Sequence, residues 1–443
     1  MKSYQKFIFE SYRLDAERRQ IQLNYSLDGE EEFQEIIELP STDFAEYDSA
    51  ELEAALFGLH LIAGISYYKT CLPKELDIKS GQLSPDQAHF WNAVYQNGLG
   101  EFFYHNQIDF RDLIKFPAQG GRRLLPETTK ELPKKILLPF GGGKDSLASL
   151  EILAKKESDI TLFRMGSHPL IDQLVEVTNR PILTVERHLS PNLFELNKLG
   201  ALNGHVPFTT YLSFLSVVVG ILYGFDAVVV SEEKSASYGN VEYLGQEINH
   251  QWSKSWEAEQ LIREYIGDYL TQNIQYINVL RPFSELLIAK LVSNKPEYLP
   301  YFTSCNTNWK IAGDLGRRWC GECPKCAFTF TIFAAFVPAE QLVEVFGKNL
   351  FEDANLMPLF RELLGLEGIK PFECVGTPEE TQAALYLAIR QPEFAQSLIG
   401  KFFSEEILPT IADPTKLLEE LTTLDNLSDL PKITQNMLQD LSF

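Results

Sequence analysis

The sequence predicts an α/β fold: a doubly wound parallel sheet, preceded by an N-terminal α+β domain and followed by a helical C-terminal region with a four-cysteine zinc site. Three observations predict it. From residue 135 onward, short apolar runs alternate with helical periodicity, as repeated strand–helix–strand units do. Over the first 40 residues, apolar and polar side chains alternate with period two, as in antiparallel strands. Around residue 320, cysteines cluster at a spacing suited to a metal. The expected boundaries are 1–116 for the α+β domain, 117–134 for a linker, 135–300 for the doubly wound α/β domain, 301–345 for the zinc-site region and 346–443 for the helical remainder.

Taken in order, 7–14 and 20–27 read as strands, Asp28-Gly29 as a turn, and 32–39 as a third strand closed by Pro40. Helices are expected over 49–63 and 85–97. Residues 117–134 are polar and rich in Pro and Gly, a linker or a mobile flap. Strands then fall at 136–140, 160–164, 182–187, 227–230 and 276–280, with helices at 146–156, 169–179, 207–223 and about 254–272. Ligands of such sheets bind beyond the strands' carboxyl ends, so 141–146, 165–168, 188–190 and 231–237 should face one crevice. The tail, about 350–443, has modest helical periodicity and several prolines, and carries no functional signal.

The most informative stretch follows the 136–140 strand: Gly141-Gly-Gly-Lys-Asp-Ser146, opening a helical pattern. Glycines let the backbone approach phosphate oxygens, and a helix start adds partial positive charge. Lys144 can add a full charge, and Asp145 can hold Mg²⁺ against phosphate oxygens. A Walker A loop is excluded, because Leu138 stands where its first glycine belongs and Asp145 where its Ser or Thr belongs. The dinucleotide fingerprint fails at Ser146, where its third glycine would fall. The stretch resembles the PP-loop, S-G-G-x-D-S, of the ATP-pyrophosphatase superfamily, with Gly141 in place of the first serine. That resemblance implies binding of ATP through Gly141, Gly142, Gly143, Lys144, Asp145 and Ser146, adenylation of a substrate oxygen and release of pyrophosphate.

A net charge of −22 argues against a nucleic-acid partner, which needs a basic face. The amino terminus shows no secretory pattern. The nearly uncharged stretch 211–230 contains Ser213, Ser216, Gly220, Gly224 and Asp226, and reads as a buried helix plus a buried strand rather than a membrane span. A cytoplasmic protein without a membrane partner is therefore expected; oligomeric state is left open.

Of the six cysteines, Cys305, Cys320, Cys323 and Cys326 lie within twenty-two residues. The spacing C-x2-C-x2-C lets sulfurs converge on one ion, and Cys305, fourteen intervening residues upstream, closes a tetrahedron. Four thiolates without an open position mean structural zinc; the rival is an iron–sulfur cluster on three cysteines. Cys71 and Cys374 read as ordinary core or surface thiols. A PP-loop followed by such a cluster resembles 7-cyano-7-deazaguanine synthases, but those proteins are about half this length and start at the PP-loop.

Between loop and cluster lie unusually polar connections: 202–208, 231–240 and 247–256. Arg, Lys, Glu and His at a strand's carboxyl end beside a phosphate loop suit a substrate site. Together with the opening Phe-Glu-Ser-Tyr-Arg-Leu-Asp, the blocks Gly64-Ile-Ser-Tyr-Tyr-Lys69, Asn203-Gly-His205, Glu233-Lys-Ser-Ala-Ser237 and Asn249-His-Gln251 with Lys254-Ser255 resemble the MurL family of UDP-N-acetyl-α-D-muramoyl-L-alanyl-L-glutamate epimerases. The resemblance covers most of 5–340. It implies an ATP- and Mg²⁺-dependent isomerase of peptidoglycan precursor synthesis, acting on a UDP-muramoyl dipeptide. His205, Glu233, His250 and Lys254 are the candidates for moving the α-proton, with the histidines favoured because their pKa suits proton traffic near neutrality.

Overall fold

The computed structural model describes residues 3–120, 125, 131–156, 158–309 and 317–439. Half of the expected linker at 117–134, residues 121–124 and 126–130, lies outside the described residues. Eleven strands are present among those described: β1 (Lys6–Asp15), β2 (Gln20–Leu27), β3 (Glu31–Glu38), β4 (Glu75–Ile78), β5 (Lys135–Pro139), β6 (Asp159–Met165), β7 (Ile182–His188), β8 (Ala227–Val230), β9 (Val241–Tyr243), β10 (Gln246–Ile248) and β11 (Gln275–Asn278). Nine of them form one sheet in the order β11-β8-β5-β6-β7-β3-β2-β1-β4, while β9 and β10 make a separate hairpin.

The first five strands in that order are all parallel. β5 lies in the middle, with β6 and β7 on one side and β8 and β11 on the other. The chain therefore reverses its direction of travel beside β5, which opens a crevice at that strand's carboxyl end. Along β5, Ile136 and Leu138 pack into one core and Leu137 into a second on the opposite face. Both faces are thus covered, as an apolar parallel strand requires. The C-terminal region supplies the first cover, with Phe351, Phe360, Leu385 and Phe394 buried in it. Helix Phe208–Tyr223 and the N-terminal helix Ser49–Ala63 belong to the second. The helical stretch Ser49–Tyr68 is long and apolar enough to cross a bilayer, yet most of it is buried inside the protein.

The sheet is mixed rather than wholly parallel. β3 pairs antiparallel with β7, so the N-terminal meander continues the α/β sheet. Both strands would otherwise expose an unpaired edge, and pairing removes two liabilities at once. One buried cluster stitches the seam. Arg187 of β7 grips Glu35 of β3 at both carboxylate oxygens, at 2.8 and 2.9 Å. Tyr67 and Tyr211 donate their hydroxyls to the same carboxylate at 3.0 and 3.1 Å. The guanidinium also lies 4.0 Å over the Tyr211 ring. Burial alone would lower the pKa of Arg187, but the Glu35 carboxylate and the tyrosines raise it, so the guanidinium stays charged.

Strand β4, the hairpin and helix Pro191–Lys198 were not expected from the sequence; each is short, and β4 is ordered by pairing with β1. The helix expected over 254–272 is Trp256–Tyr265 continued by a wider turn at Ile266–Leu270.

Arg187→Met is expected to destabilise the fold by about 3–5 kcal/mol, because it strands the fully buried Glu35 charge. Adding Glu35→Gln should recover part of the loss. Urea unfolding of the single and double variants checks both, and a double variant no more stable than the single would refute the stranded-charge explanation.

Candidate active site

β5 delivers its glycines to the crevice. Gly142 takes φ +79°, and a Cβ there would stand 3.2 Å from Ile171, so this turn needs glycine on both counts. Gly143 then caps helix Lys144–Leu153, and Ser146 Oγ donates back to Gly143 O at 3.1 Å. A Cβ at Gly141 would meet nothing within 4 Å, so space does not explain the missing serine. The helix start points its free N–H groups toward a cavity of about 210 Å³, walled by Gly141, Gly143, Asp145, Ser146, Ser231 and Glu232 and, from across the crevice, by Lys254, Ser304 and Lys325. Of the four segments expected at one crevice, 141–146 and 231–237 contribute to this cavity, whereas 165–168 and 188–190 do not. The latter follow β6 and β7, whereas the cavity opens between β5 and β8.

Lys144 and Asp145 divide their tasks in an unexpected way. Asp145 reaches the cavity wall, but Lys144 is turned inward, 5% exposed, and pairs with Asp145 at 2.5 Å and with Glu285. Burial would lower the lysine's pKa, yet Asp145, Glu285 and Glu233 together push it well up. Glu285 is itself pushed up by burial, against the pull of Lys144.

β8 ends at Ser231, Glu232 and Glu233, held by Arg281. That buried guanidinium donates to Glu233 O at 2.9 Å, Lys254 O at 2.7 Å and the Glu259 carboxylate at 2.8 Å. Glu232 is buried beside Glu259 and Glu233, and burial above all holds its carboxyl up to about 8, despite Arg281. Ser231 Oγ is buried in the cavity wall with no hydrogen-bond partner among the described residues.

A second group of titratable side chains adjoins this cavity through Lys254. Lys254 Nζ lies 3.8 Å from Cys374 Sγ, and Cys374 Sγ lies 3.8 Å from His250 Nε2. His250 Nδ1 meets Glu101 at 2.5 Å, and the same Glu101 oxygen lies 3.2 Å from His205 Nδ1. His205 is placed by Lys69, whose Nζ donates to Asn203 Oδ1 at 2.6 Å and Gly204 O at 2.9 Å. Glu101 stands within hydrogen-bond distance of His250 and His205, and the three ligand atoms lie within 4.8 Å of one another. The two imidazoles are driven apart. Burial, helped by the His250 charge, presses His205 down to about 4. Burial also works against His250, but Cys374 and Glu101 outweigh it and lift that ring to about 9.

The four clustered cysteines meet across the loop. Their sulfurs lie within 4.8 Å of one another, with Cys326 at 3.5 Å from both Cys320 and Cys323. Backbone N–H groups of Cys320, Gly321 and Glu322 donate to three of these sulfurs at 3.4 Å. Acceptor sulfurs at such spacing fit thiolates around a tetrahedral zinc with bonds of about 2.3 Å.

With this geometry in view, comparison with known proteins is decisive. The MurL N-terminal domain profile matches residues 1–279, and the MurL C-terminal domain profile matches 301–417. The chain belongs to the MurL family. A relative from Xanthomonas oryzae pv. oryzae, named UDP-N-acetyl-alpha-D-muramoyl-L-alanyl-L-glutamate epimerase, is 37% identical over 429 residues, 96% of this chain and 95% of the relative. Relatives of the same name from Salinispora tropica and a Micromonospora species are 39% and 38% identical, covering 86% and 91% of this chain and 84% and 91% of their own lengths. By these names MurL proteins are epimerases, which places the chain among the isomerases.

All four proton-transfer candidates fall in one region of this MurL chain. His205 and His250 share Glu101, Lys254 reaches Cys374, and Glu233 acts electrostatically on both Lys144 and Lys254. Sequence reasoning missed Glu101, Glu232, Arg281, Glu285 and Cys374. Glu232 and Arg281 lay beside marked residues; Glu101 and Cys374 sit in helical and loop stretches without a motif, and only folding brings them in.

Two outcomes are expected here. Elemental analysis of the purified protein should give one zinc per chain without visible absorbance, and Cys323→Ser should lose the metal and stability together; stoichiometric iron with brown colour would refute zinc. In histidine NMR, His250 should titrate near pH 9. Because its folded pKa exceeds the ordinary 6.5, its stabilising contribution is fully present below about 6.5 and lost as pH rises through about 9. Glu101→Gln should bring that midpoint down, and an unchanged midpoint would refute the pairing.

Proposed function

We propose that the chain is an ATP- and Mg²⁺-dependent epimerase. In this reading it inverts the terminal L-glutamate of UDP-N-acetylmuramoyl-L-alanyl-L-glutamate through a carboxyl adenylate, releasing AMP and pyrophosphate, as a step of peptidoglycan precursor synthesis. One observation carries the reading: a glycine loop at a helix start and a half-buried chain of proton-carrying side chains meet at Lys254. The names of the relatives support the substrate.

The chemistry explains why the two belong together. Removing a proton beside an ionised carboxylate would place two negative charges on one small fragment. Once the carboxylate is an acyl phosphate, the electron pair of the breaking C–H bond delocalises into a neutral carbonyl. Activation must therefore precede deprotonation. The glycine loop and the start of helix Lys144–Leu153 would cradle phosphate oxygens, and Lys254 and Lys325 would add positive charge from the opposite wall. Asp145, at the wall, would hold Mg²⁺, which neutralises phosphate charge when bound. Lys144, buried behind it, holds the Asp145 carboxylate ionised: burial would raise that pKa, and Lys144 and Lys254 bring it down. Glu101, His250 and Cys374 then provide groups of matched charge for moving a proton within a largely dry region.

The test is solvent exchange. In D₂O with ATP and Mg²⁺, D-glutamate released from the product should carry deuterium at Cα. An ATP analogue with a non-hydrolysable α,β linkage should support none. Asp145→Asn should fold normally and cut pyrophosphate release by about 10²-fold or more. Exchange at full rate without ATP would overturn the reading.

A further inference from the structure

Resting on the epimerase reading above, we propose that the Cys374 thiolate is the base that takes the Cα proton, with His250 and Glu101 as its positioning residues. The geometry carries this. The sulfur touches both halves of the site: Lys254, which walls the nucleotide cavity, and His250, which begins the relay, each at 3.8 Å. Glu101 takes His250 Nδ1 at 2.5 Å and so turns Nε2 toward the sulfur. Cys374 stands outside the four-cysteine cluster and is only partly exposed.

The charges agree with that geometry. Cys374 faces Lys254, Lys325, His250 and Lys370, and on the acidic side Glu373. Burial would raise its pKa, but the two lysines and His250 bring it down to about 5. Near neutrality Lys254 and His250 both hold protons, and the anion they share is the thiolate. Two neighbouring groups also await a ligand. Gln251 is 2% exposed, with Nε2 on Val375 O, and its Oε1 has no hydrogen-bond partner among the described residues. Glu233 Oε2 is likewise buried without one. Such acceptors call for a donor, and the amide N–H of the substrate's glutamate is one.

The step balances as follows. The Cα–H bond breaks, its proton goes to sulfur to give the thiol, and its electron pair enters the activated carbonyl. Water returns a proton to the opposite face, and the hydroxide left behind takes the thiol proton, restoring the thiolate.

The experiment measures two reactions side by side in the full-length protein: substrate-dependent exchange of labelled pyrophosphate into ATP, and deuterium entry at Cα from D₂O. Cys374→Ser is expected to keep pyrophosphate exchange within about 3-fold of wild type while lowering deuterium entry by about 10³-fold or more. Deuterium entry within about 10-fold of wild type would overturn the proposal. Absence of pyrophosphate exchange in the wild type would instead sink the adenylation reading. In the unmodified protein, alkylation of Cys374 by iodoacetamide should already be at its plateau rate at pH 7, and His250→Gln should move the midpoint upward. An ordinary thiol midpoint in wild type, or a substrate-derived acyl adduct on Cys374, would overturn the role as base.

Discussion

One buried ion pair, Glu35 with Arg187, sits at the join between the two halves of this protein, alongside the strand pairing and the apolar core that both halves share. It crosses the β3–β7 seam, and Tyr67 and Tyr211 reach it from the N-terminal segment and from helix Phe208–Tyr223. That helix begins three residues after His205 and presents Thr209, Leu212 and Ser213 to the cavity beside the glycine turn. Glu101, by contrast, comes from the N-terminal half. Bringing Glu101 against His205 and His250 therefore depends in part on the seam, where removing either partner of the buried pair would leave an uncompensated charge.

The cysteine cluster serves the cavity from outside. Thr303, two residues before Cys305, donates its N–H to Gly142 O at 2.9 Å, and Ser304 packs beside Gly143. Lys325, between Cys323 and Cys326, lines the same cavity. A metal held at the four sulfurs would thus pin three wall residues of the cavity while staying out of the chemistry, as a coordinatively closed structural ion should.

Charge is sorted with equal care. The chain as a whole carries −22, and three cations at the site lie against anions: Lys144 against Asp145 and Glu285, Arg281 against Glu259, and Lys254 against Cys374, whereas buried Lys69 meets only Asn203 Oδ1 and Gly204 O. Lys254 and Lys325 face the cavity, while Cys374, His250, Glu101 and His205 form a contiguous chain beside it.

How much of this was legible beforehand depends on the range of the forces involved. Local chemistry determined β5, the glycine turn, helix Lys144–Leu153, the alternating strands and the convergence of Cys320, Cys323 and Cys326, because each rests on residues within a few positions of one another. The same holds for the choice of His205, Glu233, His250 and Lys254 as candidates, since they sit in polar blocks at strand ends. Only the tertiary structure decided that β3 joins β7, that Lys144 turns inward while Asp145 faces the cavity, and that Glu101 stands between two histidines. It also decided that Cys374, in a tail without any motif, lies between Lys254 and His250. These contacts join residues more than a hundred positions apart. They are set by which sheet edges need a partner and which buried charges need a counter-charge, and neither leaves a periodic trace in the chain.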